Sequence, residues 1–342
     1  MKRVTISDIA ARAGISKGAV SYALNGLPGV SAQTRQRVQE IARELDWSPS
    51  QTARKLAGGR SNAVGLVLAR PARLLETEPF YMEFIAGMEE VLSAKSISLL
   101  LQMAPDRARE AQTHRAWWRD RQVDGVVLVD LTVDDERIGV LQSLGVPTVV
   151  VGAPDVAGGF TCVWTDDFAS MDGALRYLVT LGHHRIARVA GPAHLRHIAR
   201  RTEAMLSITE TLGTPTDLEM IVETDFTGES GARATRRLLT AATPPSVIIY
   251  DNDVMAVAGL SVAAELGRSV PRDLSLLAWD DSPLCRITHP TLSAMSRDIQ
   301  ALGMHTARRM LDLLAGSEPA AYRDSQAEFL PRGSTAPPFP AR

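Results

Sequence analysis

"GISKGAVSYALNG" (residues 14–26) starts on a glycine, places a serine two positions later, and continues into a short run with apolar residues at helical spacing. Ser16 is suited to cap a helix, with Ile15 before it and Val20 at the fourth helical position able to form a hydrophobic staple. Val20, Ala23 and Leu24 then face inward, and Lys17, Gly18, Ser21, Tyr22 and Asn25 face outward. Upstream, Thr5 and Asp8 have the spacing of a capping box. Ile6, Ile9, Ala10 and Ala13 repeat helically until Gly14 supplies a stop. Downstream, the turn "GLPGV" leads to Ser31, which can cap a third helix with Val38, Ile41, Ala42 and Leu45 on one stripe. Three short helices, two of them joined by a tight glycine turn, make a helix-turn-helix unit.

Apolar stripes alone occur in any three-helix bundle. What distinguishes this one is its polar outer face, with Lys17 beside a glycine that lets a surface approach closely, and its charge. Residues 1–60 hold ten Lys/Arg against four acids, a net +6, while the remaining 282 residues carry −8. A basic head on a mildly acidic body suits a head that meets a polyanion. The segment "SPSQTARKLAGG" (residues 48–59) reads as a half-helix capped by Ser50, with Leu56 protruding between basic residues. It is too short to be stable alone and would order only against a partner surface.

From Asn62 onward, apolar runs alternate with helix-length amphipathic stretches. "AVGLVLA", "SISLLLQM", "VDGVVLVD" and "PTVVVG" read as buried parallel strands, and "RIARVA", "EMIVET", "SVIIY" and "LSLLAW" repeat the pattern. Two doubly wound parallel-sheet subdomains are expected, at about 62–160 with a return near 292–320, and about 161–291 plus the tail. A ligand belongs in the crevice beyond the carboxyl ends of such strands. There stand Asn252 and Asp253 after "SVIIY", Asp280 after "LSLLAW", Phe226 after "EMIVET" and Asp166 after "TCVW", with Phe80 and Tyr81 opening the first helix. Carboxylates and a guanidinium each hold two vicinal hydroxyls, and Trp164, Trp279, Tyr81 or Phe226 can cover an apolar sugar face.

Composition narrows the class further. With 342 residues, 45% hydrophobic and 22% charged, the chain is expected to form two or three soluble globular domains. No apolar run approaches the ~20 residues of a membrane span, so a cytoplasmic protein without a membrane partner is expected. Cys162 and Cys285 stand apart as small core residues, and His183, His184, His194 and His197 read as cap and surface residues, so no metal is expected. "HRAWWRD" places Trp117 and Trp118 to pack beneath a strand. No GxGxxG follows the first strand, no GxxxxGK[ST] occurs, and "GESGA" lacks the last glycine of a nucleophile elbow. Neither catalytic residues nor a cofactor are therefore expected. A transport binding protein would share the two-lobed body but lack sixty basic, helix-capped residues in front.

"VTISDIAARAGISKGAVSYALNG", "VSAQTRQRVQEIARELDWSPSQTARKLAGG" and "FLPRGSTAPP" resemble the lactose-repressor (LacI) family of bacterial transcription regulators over nearly the whole chain. The resemblance implies a DNA-binding head (1–48), a hinge helix (49–60) that folds on operator DNA, and a ligand-sensing, dimerising core (61–342) like periplasmic sugar-binding proteins. It places Lys17, Gly18 and Tyr22 at base edges, and Thr5, Ser16, Ser21, Asn25, Ser31 and Thr34 at phosphates. Ala53 and Leu56 belong to the hinge, Leu56 as the minor-groove wedge. Arg201 matches the arginine that contacts the effector, with His197 one helical turn earlier. Tyr22 stands where many members carry arginine, which leaves the operator sequence open beyond an approximate palindrome read by a homodimer. Ala204 replaces the glycine that usually follows the effector arginine. Ala153 replaces an aromatic that a purine site would use, which favours a carbohydrate effector over a nucleobase. The tail has no leucine heptad, so no coiled-coil tetramer is expected.

Overall fold

The computed structural model of the chain describes residues 4–47, 60–70 and 79–339. The expected hinge segment, with Ala53 and Leu56, lies outside them. The chain divides into two compact units, Met1–Ser61 and Asn62–Arg342.

In the first unit, α1 (Ile6–Ala13), α2 (Lys17–Leu24) and α3 (Ala32–Glu44) surround a small core in which Ile9, Val20, Ala23 and Val38 are fully buried. Each boundary has a local cause. Asp8 Oδ2 accepts from the backbone N–H and the hydroxyl of Thr5, both at 2.7 Å. Gly14 adopts the left-handed φ of 68° that ends α1. Ser16 and Ser31 accept from the N–H groups of Ala19 and Thr34, capping α2 and α3. An Arg12–Glu44 ion pair of 3.0 Å joins α1 to α3, and Arg35 donates to the Leu27 carbonyl in the turn at 2.9 Å.

The second unit contains two six-stranded sheets. The first lobe is built from β1 (Ala63–Leu68), α4 (Pro79–Ser93), β2 (Ser98–Met103), α5 (Arg107–Arg119), β3 (Gly125–Leu128), α6 (Glu136–Leu144), β4 (Thr148–Val151) and β5 (Thr161–Trp164). The second follows with α7 (Asp167–Thr180), β6 (Ile186–Ala190), α8 (Arg196–Thr211), β7 (Ile221–Glu223), α9 (Gly228–Leu239), β8 (Val247–Tyr250), α10 (Asp253–Glu265), β9 (Ser275–Trp279), α11 (Pro283–Ile287) and β10 (Ser293–Ser296). The chain then returns through α12 (Ile299–Leu314) and β11 (Ala321–Arg323) to the first lobe, and crosses once more to β12 (Glu328–Leu330). The sheet orders are β11-β5-β4-β3-β1-β2 and β12-β10-β9-β8-β6-β7, with β12 antiparallel to β10.

Two boundaries differ from the alternation-based expectation. Residues 161–164 pair with β4 and so belong to the first lobe, and residues 293–296 pair with β9 in the second. Alternation locates a strand but not the sheet whose edge it extends. The run "SISLLLQM" is not fully buried either, because β2 is an edge strand with Leu101 exposed. The short β11 and β12 have too little periodicity to be read from sequence.

Close contacts explain several small residues. A Cβ on Gly65 of β1 would lie 2.6 Å from the Trp117 ring, so the glycine makes room for the buried indole beneath the strand. On Gly87 of α4 a Cβ would meet the Gln300 carbonyl oxygen at 1.9 Å, and on Gly303 of α12 it would meet that of Phe84 at 2.1 Å. These helices therefore cross backbone to backbone.

Candidate functional site

The exposed side of α2 carries Lys17, Gly18, Tyr22 and, at its C-cap, Asn25, with Ser21 half-buried, while Val20 and Ala23 point into the core. Asn25 Nδ2 donates to the Ser21 carbonyl at 2.9 Å, which folds that amide onto the helix end. The Tyr22 ring packs over Gly29, whose Cβ would stand 3.5 Å from it, so the phenol is braced on the turn while remaining half-exposed. Thr5, Ser16 and Ser31 are exposed and Thr34 half-buried, and each takes part in a cap. Each serine cap satisfies one N–H of its helix's first turn, at the positive end of the helix dipole.

Between the lobes of the second unit lies a cavity of about 110 Å³. Phe80, Tyr81, Trp164, His197, Arg201, Phe226 and Asp280, all expected from sequence, line it. Asp130, Phe226 and Asp280 stand just beyond β3, β7 and β9 with φ of 55°, 68° and 66°. Left-handed backbone is unfavourable for a residue with a bulky Cβ substituent, and such positions concentrate at binding sites. Phe226 fits because its ring lies on Gly191, where a Cβ would come within 2.2 Å.

Three acid–guanidinium groupings converge on the cavity. Arg70 Nε donates to Asp130 Oδ2 at 2.7 Å, and Tyr81 Oη donates to the same oxygen at 2.6 Å. Burial alone would raise the Asp130 pKa, yet the Arg70 charge and these hydrogen bonds hold it well below the ordinary carboxylate range. Arg201 Nε donates to Asp167 Oδ1 at 2.9 Å, its Nη1 lies 3.8 Å from Asp251 Oδ1, and its guanidinium sits 4.0 Å over the Trp279 ring. Burial works against the Arg201 charge, but the two carboxylates outweigh it and raise the pKa. Arg297 Nε donates to Asp280 at 3.3 Å and its Nη1 to Thr165 at 3.3 Å, where the chain crosses between lobes. Burial and the adjacent Arg201 push the His197 imidazole down to about 4, so it faces the cavity neutral.

Four expected residues occupy other places. Asp166 is committed to capping α7 through the Ala169 N–H and to an ion pair with Arg323 at 3.0 Å; its neighbour Asp167 lines the cavity instead. Asn252 caps α10 through the Met255 N–H and donates to the Phe226 carbonyl, while Asp251, one residue earlier, reaches the cavity. Asp253 lies to one side, buried against Ser282 and Asp280, with Oδ2 lacking a hydrogen-bond partner among the described residues. Burial and the Asp280 charge push its carboxyl up to about 6. Trp279 lies beneath Arg201 and is almost wholly buried, so it supports that guanidinium rather than offering a face to a ligand.

Sequence reading missed Arg70, Asp130, Asp167, Asp251 and Arg297 at the cavity, and Arg188 behind it. The clearest overlooked signal was Arg188, a charged residue inside the apolar run "RIARVA", because a fully buried arginine requires a partner. Arg70 and Asp130 are the polar residues that follow "LVLA" and "VVLV", the same strand-end rule that located the others.

The lobes also meet directly. The Arg196 N–H donates to the Leu131 carbonyl at 2.8 Å, Thr132 and Leu195 form an antiparallel bridge, and Arg196 pairs with Asp155 at 2.8 Å.

A helix-turn-helix unit followed by a two-lobed body with a polar interlobe cavity defines a DNA-binding transcription regulator controlled by a small molecule. The family model for "Bacterial regulatory proteins, lacI family" matches residues 5–50, and that for a "Periplasmic binding protein-like domain" matches residues 175–335. The chain is 30% identical over 320 residues to the HTH-type transcriptional regulator CelR of Thermobifida fusca, covering 92% of this chain and 93% of that one. It is 29% identical over 310 residues to the HTH-type transcriptional repressor PurR of Erwinia tasmaniensis, covering 90% and 89%. Among solved structures, the CelR–cellobiose complex superposes with a TM-score of 0.74 at 28% identity, covering 97% of this chain and 100% of that one. The lac repressor dimer bound to operator and the anti-inducer ONPF shares the fold, with a TM-score of 0.83 at 24% identity over 98% and 100%. The chain belongs to the LacI family of bacterial transcription regulators. Among the described residues, no helix is long and apolar enough to cross a membrane.

Proposed function

We propose that this regulator is a homodimeric repressor that acts in the cytoplasm on an approximately palindromic operator, and that a neutral polyhydroxyl ligand of the carbohydrate class binds between its lobes. It works as a binding switch and not as a catalyst. The observation that carries the ligand class is the convergence of Asp130 with Arg70, Asp167 and Asp251 with Arg201, and Asp280 with Arg297 on one cavity. Alternating acceptors and donors suit vicinal hydroxyls, each of which both gives and receives. A flat nucleobase calls for free aromatic faces. Here guanidiniums lie over Phe226, Trp279, Phe80 and Trp164, and Ala153 lines the wall.

For the dimer, exposed Met82 on α4 and Leu101 on the edge strand β2 supply apolar surface on the first lobe. For the operator, Lys17 and Tyr22 reach base edges from α2, and the caps at Thr5, Ser16, Ser31 and Thr34 meet phosphates, with Ser21 and Asn25 at the helix flank. Ligand binding changes DNA affinity by its differential affinity for the two arrangements of the lobes.

The test is a mobility-shift titration on the protein's own promoter fragment, repeated with sugars and nucleobases that raise its melting temperature. A shift reversed by a sugar, and lost in its ligand response but not in DNA binding on Arg201→Ala, is expected. A response to nucleobases alone would overturn the ligand class.

A further inference from the structure

Beside the cavity already described lies a second, of about 190 Å³. Four residues belong to the walls of both: Arg70, Val129, Asp130 and Phe226. Arg70 comes from the end of β1 in the first lobe, and Phe226 from the end of β7 in the second. The Arg70 guanidinium carbon stands 4.9 Å from the Phe226 ring centroid and 5.2 Å from that of Tyr81, while Nε is held by Asp130 at 2.7 Å. Asp130 is itself fixed by the Tyr81 hydroxyl at 2.6 Å. The guanidinium is thus flanked by two rings and tied to a carboxylate, and it stands between two chambers of one cleft.

The second chamber is walled mostly by apolar surface, from residues such as Val67, Ala69, Pro192 and Leu195, and the cations in its wall are committed. Arg137 donates to both oxygens of Glu110, to both of Asp135 and to the Asp130 carbonyl. Arg107 donates to the Thr132 hydroxyl at 2.6 Å and to the Asp130 carbonyl at 2.9 Å. With these charges satisfied by the protein, the chamber is suited to a second neutral ring and not to an anion.

We infer that Arg70 sets the length of the effector: a single-ring polyol fills the first chamber, and a second ring is excluded by the Arg70–Phe226 partition. The inference rests on the polyol reading above and adds a residue that decides size within that class. Discrimination by exclusion does not depend on how well the first ring is bound. Removing the side chain joins the chambers into one elongated site.

The experiment is calorimetry and thermal shift on the full chain with glucose, galactose, mannose and xylose, and with cellobiose, maltose and lactose. The wild type is expected to bind at least one single sugar about tenfold or more tighter than any of the disaccharides. Arg70→Ala is expected to gain about tenfold or more in affinity for at least one disaccharide. Because that change leaves Asp130 without its ion-pair partner, Arg70→Ala/Asp130→Asn is measured beside it, retaining the Tyr81 hydrogen bond. Wild-type protein that binds a disaccharide as tightly as any single sugar overturns the partition, as does failure of both folded variants to gain disaccharide binding. Absence of binding by any sugar to any of the three proteins overturns the polyol reading itself, and the partition with it.

Discussion

Arg188, in the middle of β6, grips both oxygens of Asp251, Nε to Oδ1 at 2.9 Å and Nη2 to Oδ2 at 2.6 Å, with both side chains fully buried. Burial works against the Asp251 charge, but Arg188 and Arg201 together hold its pKa low. The pair fixes Asp251 with its Oδ1 3.8 Å from Arg201 Nη1. Arg188→Leu leaves the buried Asp251 carboxylate with only the Gly191 N–H and Arg201 at 3.8 Å, and should cost about 3 kcal/mol, read as a lower urea midpoint. Arg188→Leu/Asp251→Asn should recover most of that loss while still weakening the ligand response, because Arg201 then keeps only Asp167.

Gly191→Ala places a methyl where the Phe226 ring lies, at 2.2 Å. Overlap that close forces the ring off its seat beside Arg70, since neither the strand end nor the left-handed backbone at Phe226 yields easily. A loss of about tenfold or more in ligand affinity with retained operator binding is expected, measured by calorimetry and mobility shift. Unchanged ligand affinity would remove Phe226 from the site.

Asp253 gives a pH-dependent prediction. Its carboxyl is raised from an ordinary 3.8 to about 6, so the folded state holds the proton more tightly than the unfolded chain. The group favours folding below about pH 4 and progressively withdraws that contribution as pH rises through 6. Asp253→Asn should therefore stabilise the protein by on the order of 2–3 kcal/mol at pH 7.5, with the advantage shrinking towards pH 4.5. Melting temperatures at the two pH values test it, and equal gains at both would show that the charge is not the cause.

Lys17→Ala should weaken operator binding and lower the slope of log affinity against log salt by roughly 1 if Lys17 meets a phosphate. If it reads a base edge, the slope stays and discrimination falls at one operator position, by about 1–3 kcal/mol. Tyr22→Phe isolates the hydroxyl: the ring keeps its seat on Gly29, so a change in preferred operator base would trace to that oxygen.

Much of this architecture was legible because its causes are local. Ser16, Ser31 and Gly14 bound their helices by capping and by left-handed backbone, and apolar runs announced most strands. At the cavity the strand-end rule pointed to Asp166 and Asn252, but those side chains cap α7 and α10, and their neighbours Asp167 and Asp251 line the cavity. Sheet membership of residues 161–164 and 293–296 depends on pairing across the fold, which periodicity does not encode. The partnership of Arg188 with Asp251, sixty-three positions apart, lies equally beyond local reading.

The crossing of α4 and α12 through Gly87 and Gly303 has a mechanical meaning. Where side chains separate two helices, small displacements dissipate as rotamer changes. Here main chain rests on main chain, so the joint has no slack. Phe80 and Tyr81 open α4 at the interlobe cavity, and Arg297 lies just ahead of α12 at an interlobe crossing. An alanine at either glycine would set a methyl against the main chain of the opposite helix and force the two apart.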